Sequence, residues 1–321
     1  MGRRQAFAWS AAIALIVIAP LVLDNSYWRS ILTVVALNTM LAASLNLILG
    51  YAGQLQLGQS AFYGIGAYIS TLLVKLAGIG FWPAVLGGTL GAGLAGVFLA
   101  MFAVRLRGHY LGIASLGFAL ITYEVLMSWV DLTQGPLGIY GVMPPPPLDL
   151  PLVGRIRFSN ALWLFYLVAA IALAVQAMLA SLVRSPFGAT LRAIREDEIS
   201  AAALGINCPL WKLVVFAIGC AIAGLAGCFY APFVGTLVPD AFFITESFTL
   251  LAMAIVGGLG TLAGPMIGAA LLTVLPELLR GIGDLRLMVY GLALTLVVLF
   301  MPGGIVQGWA ALRRRGAAAP S

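Results

Sequence analysis

Apolar residues run along this chain in blocks separated by short polar or Gly-rich intervals, and a block of about 20 apolar residues crosses the hydrocarbon core of a bilayer as a helix. Such blocks lie at 6–23, 31–49, 61–77, 82–104, 110–130, 161–183, 212–232, 244–257, 264–279 and 287–301, the later ones shorter and richer in Gly and Pro. The pattern predicts an all-α polytopic membrane bundle of about ten transmembrane helices, carried by one transmembrane domain over residues 1–321. The first block follows Arg3 and Arg4 as a secretory signal would. It ends in Val22-Leu23-Asp24-Asn25 with no small-x-small cleavage site, so a retained first helix is expected.

Composition agrees: 62% of the 321 residues are hydrophobic and 9% charged, with a mean hydropathy of +1.06. That is far from the roughly one-quarter charged residues of a soluble domain. The 38 glycines lie within apolar runs, as expected where helices approach closely in lipid. The net charge of +6 comes from Arg residues at both ends and in one polar loop. Positive residues beside apolar spans set orientation, which leaves no need for a polyanionic ligand; no basic patch interleaved with aromatics argues for nucleic acid.

With ten crossings, the ends bearing Arg3, Arg4, Arg313, Arg314 and Arg315 share the cytoplasmic side with the loop from Arg105 to His109 and the polar loop at 184–211. Residues 131–160, with the run Pro144 to Pro147, become a periplasmic loop read as a stiff extended cap. The expected setting is a bacterial inner membrane, crossed many times.

The loop RSPFGATLRAIREDEISAAALGINCPLWK is polar and helix-prone between two apolar spans. Ser185 and Pro186 read as N-cap and N1, Gly188 allows a turn, and helix is favoured from Ala189 until Gly205 and Pro209 stop it. A short helix bearing Arg192, Arg195, Glu196, Asp197 and Glu198 suits a soluble partner's groove, or serves only as a solvated linker.

Two Gly-rich stretches interrupt the spans. GYAGQLQLGQSAFYGIGAY sets Gly50, Gly53, Gly58, Gly64 and Gly66 among Gln54, Gln56 and Gln59; it is either a broken element lining a pathway or a tight turn at the interface. GGLGTLAGPMIGAALL places Gly257, Gly258, Gly260, Gly264 and Gly268 beside Pro265 in a second interrupted segment. Paired breaks in two halves mark an internally repeated transporter. Glu124 and Glu246 lie near the outer ends of spans, as snorkelling interface acids or as functional carboxylates.

Other chemistry is not called for. The second Gly-rich stretch follows no strand, so it is not a dinucleotide fingerprint, and no P-loop occurs. Cys208, Cys220 and Cys228 read as packing residues, and His109 as an interface residue beside Arg105 and Arg107. No catalytic constellation, metal site or cofactor is expected.

These three ordered motifs, at 50–68, 184–207 and 257–272, resemble the permease subunits of ABC importers for branched-chain amino acids, and the likeness runs most of the chain. The resemblance implies a transporter subunit rather than an enzyme. It would pair with a second homologous permease chain, two ABC ATPase subunits below and a periplasmic solute-binding protein above. It assigns the substrate pathway to Gln54, Gln56, Gln59, Gly58, Gly257, Gly258 and Gly260. It assigns ATPase coupling to Arg192, Arg195, Glu196, Asp197, Glu198, Ala202 and Gly205. Ile199 stands where the importers' Glu-Ala-Ala coupling motif would place its Glu, and Gln134 and Pro136 replace a Gly-rich, acid-containing outer stretch. Related permeases for urea or aromatic acids, and an ion-coupled secondary transporter, are the alternatives.

Overall fold

The computed structural model describes residues 25–103, 109–150 and 154–282, together with Pro20 and isolated positions between 288 and 308. Helix α1, Ser26–Leu45, starts where the Asn25 carboxamide accepts from the Tyr27 amide, and it continues into a π-helical turn, Asn46–Tyr51. An irregular segment leads to α2, Gln59–Lys75. Then come α3, Phe81–Ala103; α4, His109–Ser128; and the single turn α5, Val130–Thr133. After the outer loop come α6, Ala161–Arg184; α7, Pro186–Glu196; α8, Glu198–Ala203; and α9, Cys208–Val234. Helices α10, Ile244–Gly257, and α11, Gly264–Leu278, close the described chain.

Helices thus occupy every expected block from 31–49 to 264–279, while those at 6–23 and 287–301 fall largely outside the described residues. Among the described residues, six segments are long and apolar enough to span a membrane: Ser26–Tyr51, Phe81–Phe102, Tyr110–Ser128, Ala161–Arg184, Cys208–Val234 and Pro239–Gly257. Helix α2 has 17 residues and α11 has 15, which leaves them at or below the length of a full crossing.

The core forms where α9 lies against α3, α2 and α1, and where α1 lies against α6 and α11. Small residues make that contact possible. A Cβ on Gly66 would lie 2.2 Å from the Gly224 carbonyl oxygen, and one on Gly227 would lie 2.1 Å from that of Tyr63. In lipid the hydrophobic effect does not drive helices together, so backbone approach of this kind supplies the dispersion contacts that do. Cys220 and Cys228 are buried at the same interface, Cys228 with its thiol against the Gly66 carbonyl, as packing residues.

The outer loop differs from the expected extended cap. It holds α5, a 3₁₀ turn Gly135–Leu137, strand β1 at Ile139–Tyr140 and the hairpin strands β2, Leu148–Leu150, and β3, Gly154–Ile156. Strand β1 pairs with β4, Thr236–Leu237, which ties the loop to the outer end of α9. Turns at Gly135, Gly138 and Gly141, all with positive φ, allow this folding back; the stretch 141–147, around Pro144 to Pro147, has no regular structure.

Candidate functional site

The two interrupted segments meet. Asn46, 3% exposed in the π-helical turn, accepts at Oδ1 from the Gly260 amide at 2.8 Å and donates from Nδ2 to the Thr261 carbonyl at 2.9 Å. A Cβ on Gly50 would lie 2.5 Å from the Gly260 nitrogen, so glycine is required for the approach. One carboxamide serves a donor and an acceptor that the second break leaves unpaired, each of which would cost about 1–3 kcal/mol if buried without a partner.

The first break runs without regular structure from Ala52 to Gly58, with Gly53 at φ +68°; its Gln54 amide reaches back to the Ile48 carbonyl, and distant helices serve other amides of the break and of the helix that follows. Ser115 of α4 accepts from the Leu57 amide at 2.9 Å, and Ser247 of α10 accepts from the Ser60 amide at 2.9 Å. Gly58 is buried so closely that a Cβ there would stand 2.1 Å from the Ser115 carbonyl oxygen. Irregular backbone at membrane depth is tolerated where protein groups serve it in this way.

The three glutamines separate. Gln56 and Gln59 are fully buried, while Gln54 is half-exposed and donates from Nε2 to the Ala52 carbonyl at 3.2 Å. Gln59 donates to the Ser44 hydroxyl at 2.5 Å, and Gln56 to the Cys220 sulfur at 3.7 Å. Their carbonyl oxygens find no partner among the described residues. Beside the seam, Asn46, Tyr51, Gln176 and Pro265 line a cavity of about 10 Å³, the room of a single water.

The second break is braced from within as well as by Asn46. Gly258 and Gly260 take φ of +119° and +73°, a region open chiefly to glycine, and Thr261 Oγ1 donates to the Gly258 carbonyl while accepting from the Gly264 amide. Cβ atoms on Gly257 and Gly268 would each lie 1.9 Å from a carbonyl oxygen, of Gly264 and Met253 respectively.

The polar loop folds as the helix pair α7 and α8. Ser185 caps α7 through the Phe187 amide, as its sequence predicts. Gly188 does not make a turn: it lies inside the helix, because only a hydrogen there clears the Val183 carbonyl, 1.9 Å from where a Cβ would sit. Helix α7 buries Gly188, Leu191 and Ile194 and leaves Arg192, Arg195 and Glu196 exposed, the one-sided pattern of a helix lying on a bundle.

The three acids have different partners. Asp197 caps α8, accepting from the Ile199 and Ser200 amides and the Ser200 hydroxyl; these bonds hold its carboxyl below the usual carboxylate range. Glu198 receives Lys212, whose ammonium is buried at the start of α9, at 2.7 Å to both oxygens. Glu196 faces outward, as do Ala202, and Gly205 at φ +86° ends α8. Ile199 and Leu204, 70% and 82% exposed, leave an apolar surface on α8. Arg192 donates to the Val183 carbonyl at the end of α6, and Arg195 donates to the Gly50 carbonyl.

Glu124 is exposed and accepts from Ser128, and Glu246 lies half-buried in the first turn of α10. Sequence reasoning passed over Asn46, Ser115, Ser247 and Lys212. An Asn within the apolar run before GYAGQ is the only signal that marked any of them, since single serines in apolar helices are common.

Residues 27–301 match the model of the family described as branched-chain amino acid transport system / permease component. The chain is 33% identical over 293 residues to the high-affinity branched-chain amino acid transport system permease protein LivM of Escherichia coli, covering 86% of this chain and 69% of that one. It is 27% identical over 286 residues to LivH of Salmonella typhimurium, a permease protein of the same description, covering 83% and 90%. More distantly, it is 25% identical over 245 residues to the guanosine ABC transporter permease protein NupQ of Bacillus subtilis, covering 73% and 75%. No solved structure matches. With its two breaks joined in the bundle and the family match running across nearly all of it, this chain belongs to the branched-chain amino acid transport permease family.

Proposed function

We propose that this chain is one permease subunit of an ATP-driven importer for branched-chain or related hydrophobic amino acids. The family match over residues 27–301 carries the proposal. In this reading it pairs with a second, homologous permease chain, with two ATPase subunits on the cytoplasmic side and a solute-binding protein on the other. The chain crosses the bacterial inner membrane about ten times, with both ends and the α7–α8 pair on the cytoplasmic side.

The exposed Ile199 and Leu204 support docking at α8, because a large apolar patch on a polar loop favours cover by a partner. The orphan carbonyl oxygens of Gln56 and Gln59, enclosed by this chain's own residues, support a pathway that opens beside them during transport, where a passing ammonium would donate to them. The NupQ likeness leaves the permease fold compatible with a very different solute, so selectivity is assigned to the binding protein.

Tagged at its C-terminus and extracted in mild detergent, the chain should co-purify with a second permease and ATPase subunits. The assembled complex in liposomes should take up leucine, isoleucine or valine only with ATP and the binding protein. Recovery of the chain alone, with uptake driven by an ion gradient, would replace this reading with a secondary transporter.

A further inference from the structure

The three sequence motifs converge on one side chain. Arg195 leaves the last turn of α7, and its guanidinium donates to the carbonyl of Gly50, where the π-helical turn gives way to the first break. Its aliphatic stem passes Gly53, held at φ +68°, where a Cβ would come within 2.9 Å of Arg195 Cγ. A Cβ on Gly260, in the second break, would lie 3.0 Å from Arg195 Nη1. Glycine at 50, 53 and 260 therefore makes room for one arginine and for the contact between the breaks. Asn46 joins the same breaks from within the bundle.

The helix pair that carries Arg195 is fastened at both ends. Arg192 holds the Val183 carbonyl at the end of α6, and Glu198 holds the buried Lys212 at the start of α9. The outward surface of the pair remains open through Ile199 and Leu204. A push on that surface cannot be lost in a loose loop. A direct route from the pair into the seam is Arg195, an exposed side chain whose charge-assisted bond to Gly50 is strong and directional enough to transmit position.

We infer that Arg195 is a positioning residue that transmits displacement of the α7–α8 pair to the seam between the two breaks. It touches no solute; it holds the breaks in register when the pair is at rest and shifts them when the pair moves. This rests on the importer reading above, and it adds which residue couples the partner's movement and what that residue moves.

The test uses the complete complex in liposomes and reads solute moved per ATP hydrolysed, a ratio that a merely structural role would leave unchanged in whatever complex still assembles. Arg195→Ala should assemble and lower the ratio about tenfold, whereas Arg195→Lys, which keeps a cationic donor but not the fork, should lower it about threefold. A ratio within about twofold of the parent's in both variants would overturn the inference. Failure of both variants to assemble would also overturn it, because Arg195 would then be structural. A parent complex that shows no ATP-dependent uptake would sink the importer reading itself, and that outcome is visible before any variant is measured.

Discussion

The two Gly-rich breaks look alike in sequence and are held in opposite ways. The second, between Gly257 and Gly264, is a turn that Thr261 braces from within, that one outside side chain, Asn46, serves at Gly260 and Thr261, and whose flanking helices touch through backbone. The first, from Ala52 to Gly58, is an irregular segment that Ser115, Ser247 and Arg195 serve, at the segment or its borders, from α4, α10 and α7. A turn braced from within and held from outside by a single carboxamide moves largely as one piece with its helices. A segment held by three other elements changes when any of them shifts, which makes the first break the responsive partner of the seam.

The largest effect expected from breaking this contrast is at Gly268→Ala or Gly257→Ala. Each puts a methyl onto a backbone carbonyl 1.9 Å away, with no flexible side chain to yield. A cost of about 4 kcal/mol or more is expected, read as loss of the monodisperse peak in detergent chromatography. Next is Asn46→Ala, which strips the Gly260 amide and the Thr261 carbonyl together and separates the breaks. It should cost about 2–4 kcal/mol, seen as a lower thermal midpoint in detergent.

Ser115→Ala and Ser247→Ala each leave one amide of the first break or its helix start without its partner and should cost about 1–2 kcal/mol apiece. If the contrast holds, both should raise hydrogen exchange across residues 52–60 and leave residues 257–264 unchanged. Thr261→Ala should do the reverse, protecting nothing in the second turn while sparing the first break; equal exchange changes in both segments would show that the breaks form one unit.

The smallest effect lies outside the seam. Asp197 has its carboxyl held below the usual value by Ser200 and the α8 amides, so the capping contribution is present above the unfolded-state pKa of 3.8 and fades as pH falls through the lower folded value. Asp197→Ala should therefore lower the thermal midpoint at pH 7 by a small amount, and parent and variant should converge as the pH drops below that range. A difference that persists in strong acid would mean that Asp197 acts through something other than its charge.

Much of this was readable in the residues. The apolar blocks located the helices from 31–49 to 264–279, because a lipid-spanning helix requires a long apolar run and little else satisfies it. Ser185-Pro186 and Gly205 located the limits of the α7–α8 pair, because capping is a local bond between neighbours. The paired breaks were visible as glycine runs. The division of labour among Glu196, Asp197 and Glu198 was not, since three adjacent acids look equivalent until one helix end takes Asp197 and a lysine fourteen residues on takes Glu198.

By itself, then, the sequence determined the class of the fold, the positions of its helices, its family and the two places where the helices are interrupted, all of which follow from local chain chemistry and the demand that lipid makes on the backbone. Only the tertiary structure decided that the two breaks touch through Asn46, that Gly188 sits inside a helix and that Arg195 reaches Gly50. The first and last of those facts join residues 215 and 145 positions apart, and nothing within a few residues of either end specifies the distance between them.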